Sequence, residues 1–225
     1  MRNQTLTSIA LTHPEAAPIF QAHGLDYCCR GDVSLDEACA RRGLDAQTIA
    51  AEIEHATATH PRASSAVDAC GLETAALVDY IREQHDLYLR AAIPFVPSLA
   101  ARVAREYDAR DPRLGQVRDT TIALRRSLER HLDKEEDDLF PAIRDGRAPD
   151  TDELRAIRRE HREIGAALDR LRTLTDGYRA PSWACPCYRT LLEWLYALEA
   201  HLMTEVHLED HVLLRRSSCS TVEQA

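Results

Sequence analysis

The chain has 225 residues, 44% of them hydrophobic, which is ample for a buried core and for one large domain or a large and a small one. Its formal net charge of −9 argues against nucleic acid or an anionic membrane as partner, because both are polyanions that would repel it. Small molecules or proteins fit this charge better.

The opening stretch, Met1 to Phe20, has a single Arg, then Glu15 and two prolines, where a secretory signal needs an uninterrupted apolar core. No export is expected. The longest apolar run, 91–101, is broken by Pro94, Pro97 and Ser98 and is too short to span a membrane, so the chain reads as soluble and cytoplasmic. Seven cysteines, an odd number, read as thiols or metal ligands more readily than as a disulfide framework.

Residues 1–62 read as a small helical domain, with helices expected over 14–23, 34–42 and 45–60, punctuated by Gly24, Gly31 and Gly43. Between the first two lies Gly24-Leu-Asp-Tyr-Cys28-Cys29-Arg-Gly31, followed by Ser34, a good N-cap. Free cysteines are commonly small buried hydrophobes, but adjacent side chains do not easily point into one core, so Cys28 and Cys29 are functional candidates. Residues 61–69, rich in Pro, Ser and Ala, read as a linker. Long helical patterns follow over 72–107, with a kink expected at Pro94 and Pro97, then 113–144, 151–174 and 188–216. Their short connections predict an up-and-down four-helix bundle over 70–216, with 217–225 as a flexible tail. Strand-like alternation is absent, so the fold class is all-α.

Each long helix carries a metal-ligand side chain at a core-like position. The first has His85 on the side of Leu77, Ile81 and Leu89; the third has His161 with Ile157, Ile164 and Leu168. The second has His131 and Glu135, four apart and therefore on one face about 6 Å apart along the axis. The fourth has Glu205 and Glu209 at the same spacing, and the apolar pairs Leu139-Phe140 and Leu213-Leu214 follow the two rungs in register. One such pair arises on ordinary solvated helices, and one histidine on an apolar stripe is more often a satisfied core residue than a ligand. Four helices converging in a bundle reverse that judgement. Three imidazoles and three carboxylates suffice for two ions if some carboxylates bridge.

His201 repeats the spacing with Glu205 and is an alternate ligand, but it lies about 12 Å along the helix from Glu209, too far for both to serve one closely spaced pair. His207 and His211 read as surface or supporting residues. Glu160 and Asp86 could orient histidines, although a solvated surface role is the simpler reading. Cys185 and Cys187 read as incidental, and Cys39, Cys70 and Cys219 carry no assigned role.

These residues together resemble the repair-of-iron-centres family of di-iron proteins, in which a hemerythrin-like four-helix domain follows a small cysteine domain. The resemblance rests on the Gly24–Gly31 turn, on Ser34-Leu-Asp-Glu-Ala-Cys39, on His131-x3-Glu135 with Leu139-Phe140-Pro141, and on Val206-His-Leu-Glu209-Asp-His-Val-Leu213. It implies two non-haem iron ions, oxo-bridged and bridged by Glu135 and Glu209, with histidines as terminal ligands. It also implies repair of iron–sulfur clusters damaged by nitric oxide or peroxide, with possible nitric oxide reductase-type activity. Damaged iron–sulfur proteins and nitric oxide, oxygen or peroxide would be the partners, and Cys28 and Cys29 a redox or iron-transfer arm serving its own bundle or that of a second copy in a homodimer. The alternative is a gas or redox sensor, or oxygen carrier, without turnover. One position departs: the family has a histidine where this chain has Glu205. An extra anion makes the site harder and more electron-rich, which predicts a lower reduction potential and greater tolerance of manganese.

Overall fold

The computed structural model describes residues 1–59 and 69–219. Most of the expected linker lies outside these residues. The N-terminal unit contains α1 (Leu6–Thr12), α2 (Ala16–Ala22), α3 (Leu35–Arg42) and α4 (Ala46–Thr59). The sequence reading missed α1, a helix of only seven residues, too short to display an amphipathic period, but Thr5 caps it through Ser8 N. Ser34 caps α3 as expected, its hydroxyl accepting from Glu37 N at 3.2 Å.

Four long helices form the bundle. The first, α5, runs Thr74–Tyr107; α6 joins Arg113–Lys134, Glu135–Leu139 and Phe140–Arg144; α7 is Thr151–Leu174; α8 joins Pro186–Leu208, Glu209–Leu213 and Leu214–Cys219. Asp150 and Glu153 form a capping box that starts α7. The α-helix passes through Pro94 and Pro97 without a break, and α8 continues past the expected end at Arg216, with Ser217 buried and its hydroxyl donating to Leu213 O. The expected irregularity falls elsewhere. Wider π turns interrupt α5 at Arg82–Asp86, α6 at Glu135–Leu139 and α8 at Glu209–Leu213. Each π turn contains or begins with a candidate ligand: His85, Glu135 or Glu209. Such turns re-aim side chains and concentrate at functional sites.

Two apolar layers sandwich the ligands. One is built from Leu89, Leu128, Leu132, Ile164 and Leu202 with the far end of the bundle, and the other from Ile81, Leu139, Phe140, Leu208 and Leu213. Each fully buried Leu or Phe stabilises by roughly 1.5–3 kcal/mol, which sets the polar layer between them in a rigid frame. Helix α5 has the length and mean hydropathy of a membrane span, but half of its most apolar stretch is buried, and it packs mainly on α6 and α8 as a core helix.

The cysteine domain packs directly on its own bundle. Met203 and Val206 of α8 belong to its apolar core. Gln21 donates to the Tyr196 carbonyl at 2.7 Å, and Arg172 donates to the Gln21 carbonyl at 2.8 Å while pairing with buried Glu199. Tyr178 donates to Glu199 as well, so that carboxylate is fully paired. His207, read as a surface or supporting residue, is buried and packs edge-to-face with the Tyr27 ring in this seam.

Candidate metal centre

Within the polar layer, His131, Glu135, His161 and Glu209 come together from α6, α7 and α8, with one ligand atom of each within 4.8 Å of all the others. All four are at most 3% exposed. His131 Nε2 lies 3.1 Å from Glu135 Oε1, and His161 Nε2 lies 3.2 Å from Glu209 Oε2. Both remaining sequence-expected ligands, His85 on α5 and Glu205 on α8, are buried but lie outside this four-residue convergence. Both ring nitrogens of His85 and both carboxylate oxygens of Glu205 lack a hydrogen-bond partner. His201, the alternate, is half-buried beside His85, its ring 5.6 Å from that of His85 and stacked on Tyr88 at 3.7 Å, and its Nδ1 is likewise buried without a hydrogen-bond partner.

The histidines are held from behind. His131 Nδ1 lies 3.2 Å from Glu160 Oε2, and Lys134 binds the other oxygen of that carboxylate. His161 Nδ1 lies 3.1 Å from Asp210 Oδ2. A carboxylate behind a ligand imidazole fixes its tautomer and orientation and raises its basicity. Glu160 therefore orients His131 and is not the solvated surface residue that its sequence neighbours suggested. Asp86 is likewise buried, not solvated. Asp210 escaped the sequence reading, although its position directly after Glu209 was the available signal.

The electrostatics are those of a cation site. Burial pushes Glu205 well above the usual carboxylate range, with Glu209, Glu135 and Asp86 adding to the shift, and pushes Glu209 up to about 8, with Glu135 adding. Burial raises Asp86 to about 6, again with a contribution from Glu135. Burial alone would lower His161, but Asp210 and Glu209 raise it to about 10; Glu135 and Glu160 likewise raise His131 well above its ordinary value. His85, desolvated and beside His201, falls to about 4 and is neutral, as a ligand must be. Desolvating a carboxylate costs several kcal/mol unless it is neutralised. Here protons neutralise the layer, and a hard or borderline divalent cation satisfies the same oxygen and imidazole donors. The buried nitrogens of His85 and oxygens of Glu205 fit metal ligands.

The cysteine turn abuts this centre. Cys29 Sγ donates to the His161 carbonyl at 3.3 Å, and His211 Nε2 lies 2.9 Å from the Cys28 carbonyl. Cys28 is buried in the core of its own domain, whereas Cys29 is half-buried and faces α7. Two glycines permit this approach. A Cβ on Gly31 would sit 2.2 Å from the Tyr27 carbonyl, and one on Gly165 would sit 3.1 Å from Cys29 Sγ. Cys28 is held as a thiol by its contact with Cys29, by burial and by Asp26. Cys185 caps α8, its sulfur accepting from Tyr188 N at 3.4 Å, a structural role.

Comparison with known proteins agrees with this architecture. Residues 2–57 match a family described as a domain of unknown function, DUF542 or ScdA_N, and residues 76–216 match the hemerythrin HHE cation binding domain. The chain is 28% identical to the iron-sulfur cluster repair protein ScdA of Staphylococcus haemolyticus (strain JCSC1435), over 96% of this chain and 99% of that protein. It is 29% identical to the iron-sulfur cluster repair protein YtfE of Yersinia pestis (strain Pestoides F), over 96% and 97%. The same identity and coverage hold for the YtfE protein of Yersinia pseudotuberculosis serotype O:3 (strain YPIII). The HHE match spans most of the chain and contains all six expected ligands: the chain belongs to the hemerythrin HHE cation-binding family.

Proposed function

We propose that this chain is a non-haem di-iron protein that repairs iron–sulfur clusters damaged by nitrosative or oxidative stress. The observation that carries the reading is the buried His131–Glu135–His161–Glu209 nest with a cysteine pair seated against the backbone of one of its ligands. The near full-length similarity to proteins named for cluster repair supports it.

The ions would be held by His131, Glu135, His161 and Glu209, with His85 and Glu205 as the further ligands. Bound iron would supply one-electron redox chemistry and open positions for nitric oxide, oxygen or peroxide. The protein's own groups do the rest. Glu160 and Asp210 hold the imidazoles in one orientation, and the apolar layers keep bulk water from the centre. The thiols of Cys28 and Cys29 supply soft donors beside the backbone of His161. Those thiols favour repair over a sensor or oxygen carrier, since neither needs thiols beside a ligand. The client would be a cytoplasmic iron–sulfur protein.

The test is restoration of a [4Fe–4S] enzyme inactivated by nitric oxide, using the iron-loaded protein and a reductant. Recovery above the iron-only control is expected, and a Cys28→Ser, Cys29→Ser double variant should keep its bundle iron yet lose recovery. Stoichiometric gas binding without recovery would contradict the proposal and favour the sensor.

A further inference from the structure

The cysteine turn contains a second convergence of ligand atoms besides the bundle centre. Asp26, Cys28 and Cys29 offer one carboxylate oxygen and two sulfurs within 4.8 Å of one another. Cys28 Sγ lies 3.5 Å from Cys29 Sγ and 3.3 Å from Asp26 Oδ1. An ion with metal–sulfur bonds of about 2.3 Å and metal–oxygen bonds of about 2.0 Å has tetrahedral edges of roughly 3.5–3.8 Å. The two edges that meet at Cys28 Sγ are therefore already close to those of such a tetrahedron, and the third, from Cys29 Sγ to Asp26, lies within 4.8 Å.

The turn is also built to hold that spacing. Asp26 Oδ1 accepts from Cys29 N at 2.9 Å, which fixes the carboxylate relative to both cysteines, and Gly31 lets the chain close back on Tyr27. Both cysteines open on a cavity of about 230 Å³ that also touches His161 and Asp210 and carries Arg158, Arg162 and Arg215 on its wall. The donor chemistry differs between the two sites: the bundle offers imidazole and carboxylate, which suit harder ions, whereas two thiolates select thiophilic ones.

We propose that Asp26, Cys28 and Cys29 form a mononuclear site for a thiophilic divalent cation, distinct from the bundle centre and opening on the same cavity. Resting on the repair reading above, its physiological occupant is ferrous iron in transit between the bundle and a client. Binding displaces the two thiol protons to solvent and changes no oxidation state. The Cys29 contact with the His161 carbonyl places the transit site against the backbone of a bundle ligand, with both bordering one cavity.

The experiment is anaerobic titration of Co²⁺ into the full-length protein with its bundle already loaded with iron. The readouts are thiolate-to-cobalt charge-transfer absorption and, separately, bound iron. One equivalent of cobalt with that absorption and with iron retained is expected. The Cys28→Ser, Cys29→Ser variant should show none of it. Asp26→Asn keeps the oxygen that caps Cys29 N but loses its charge, and should bind cobalt at least about tenfold more weakly, the scale seen when even an outer partner of a ligand is removed. Absent absorption in the parent protein overturns the site, as does absorption that persists in the double variant. An unchanged affinity in Asp26→Asn overturns the three-ligand assignment. A bundle that takes up no iron contradicts the di-iron reading instead, and the cobalt absorption is read independently of that outcome.

Discussion

Asp210→Asn isolates what the carboxylate behind His161 contributes. Asp210 Oδ2 lies 3.1 Å from His161 Nδ1, and its side chain is 10% exposed, so little water screens the pair. Asparagine keeps the shape and an acceptor oxygen but removes the charge that makes the imidazole a stronger donor to metal. Losing such a partner weakens metal binding by about 10- to 100-fold, equivalent to roughly 1.4–2.7 kcal/mol. Glu160 behind His131 is the internal comparison. Its side chain is 21% exposed and shared with Lys134, so Glu160→Gln should fall at the lower end of that range and Asp210→Asn at the upper end. Metal affinity is read by competition with a calibrated chelator at fixed pH, with circular dichroism confirming an unchanged fold. Affinities within about twofold of the parent for both variants would refute the argument that these carboxylates orient ligands.

Restoring a histidine by Glu205→His removes one anion from the buried layer and should raise the reduction potential of the iron-loaded centre and reduce its tolerance of manganese; a potential that does not rise on redox titration counts against Glu205 as a ligand. Gly165→Ala would place a methyl group 3.1 Å from Cys29 Sγ. The helix gains about 0.8–1.0 kcal/mol in propensity against an overpacking cost of about 1–3 kcal/mol, so stability should fall by no more than about 2 kcal/mol while Cys29 is labelled severalfold faster by a thiol reagent; unchanged labelling would show that the cysteine is not seated there. The pH dependence of the cation-free protein follows from groups raised above their ordinary values. Glu209, raised from 4.5 to about 8, and His161, raised from 6.5 to about 10, contribute stability that is lost as pH rises through those raised values. His85, lowered from 6.5 to about 4, acts oppositely and destabilises only as pH falls below its ordinary value. The melting temperature of the cation-free protein should therefore fall as pH rises from about 7 to 10, and metal loading should flatten the decline because cations replace the protons; parallel curves would contradict this.

The bundle was legible because its candidate ligands sit at fixed spacing on long periodic helices, a signal that survives without tertiary knowledge. His131 with Glu135 and Glu205 with Glu209 were readable as matched rungs, and the repeated apolar pair after each fixed their register. What supports the candidate ligands was only partly legible: Glu160 was read as able to orient a histidine but not separated from a solvated residue. Asp210 and Glu160 carry no periodic mark that separates a buried partner from a solvated carboxylate, and only the rotation imposed by the π turns and neighbouring helices decides. His207 pointed off the ligand stripe in the helical projection, and it does, but the face it points to is covered by Tyr27 from a domain more than a hundred residues away in sequence. The docking of the cysteine turn on α7 was hidden for the same reason: Gly165 reads as an ordinary helix interior glycine until Cys29 is seen against it.

The central claim is that the buried histidine and carboxylate layer holds a pair of iron ions, and elemental analysis of protein produced with ample iron tests it most directly. About two iron ions per chain are expected, with His131→Ala losing most of them while the helical content is retained. A folded parent protein that contains no iron under those conditions would contradict the account.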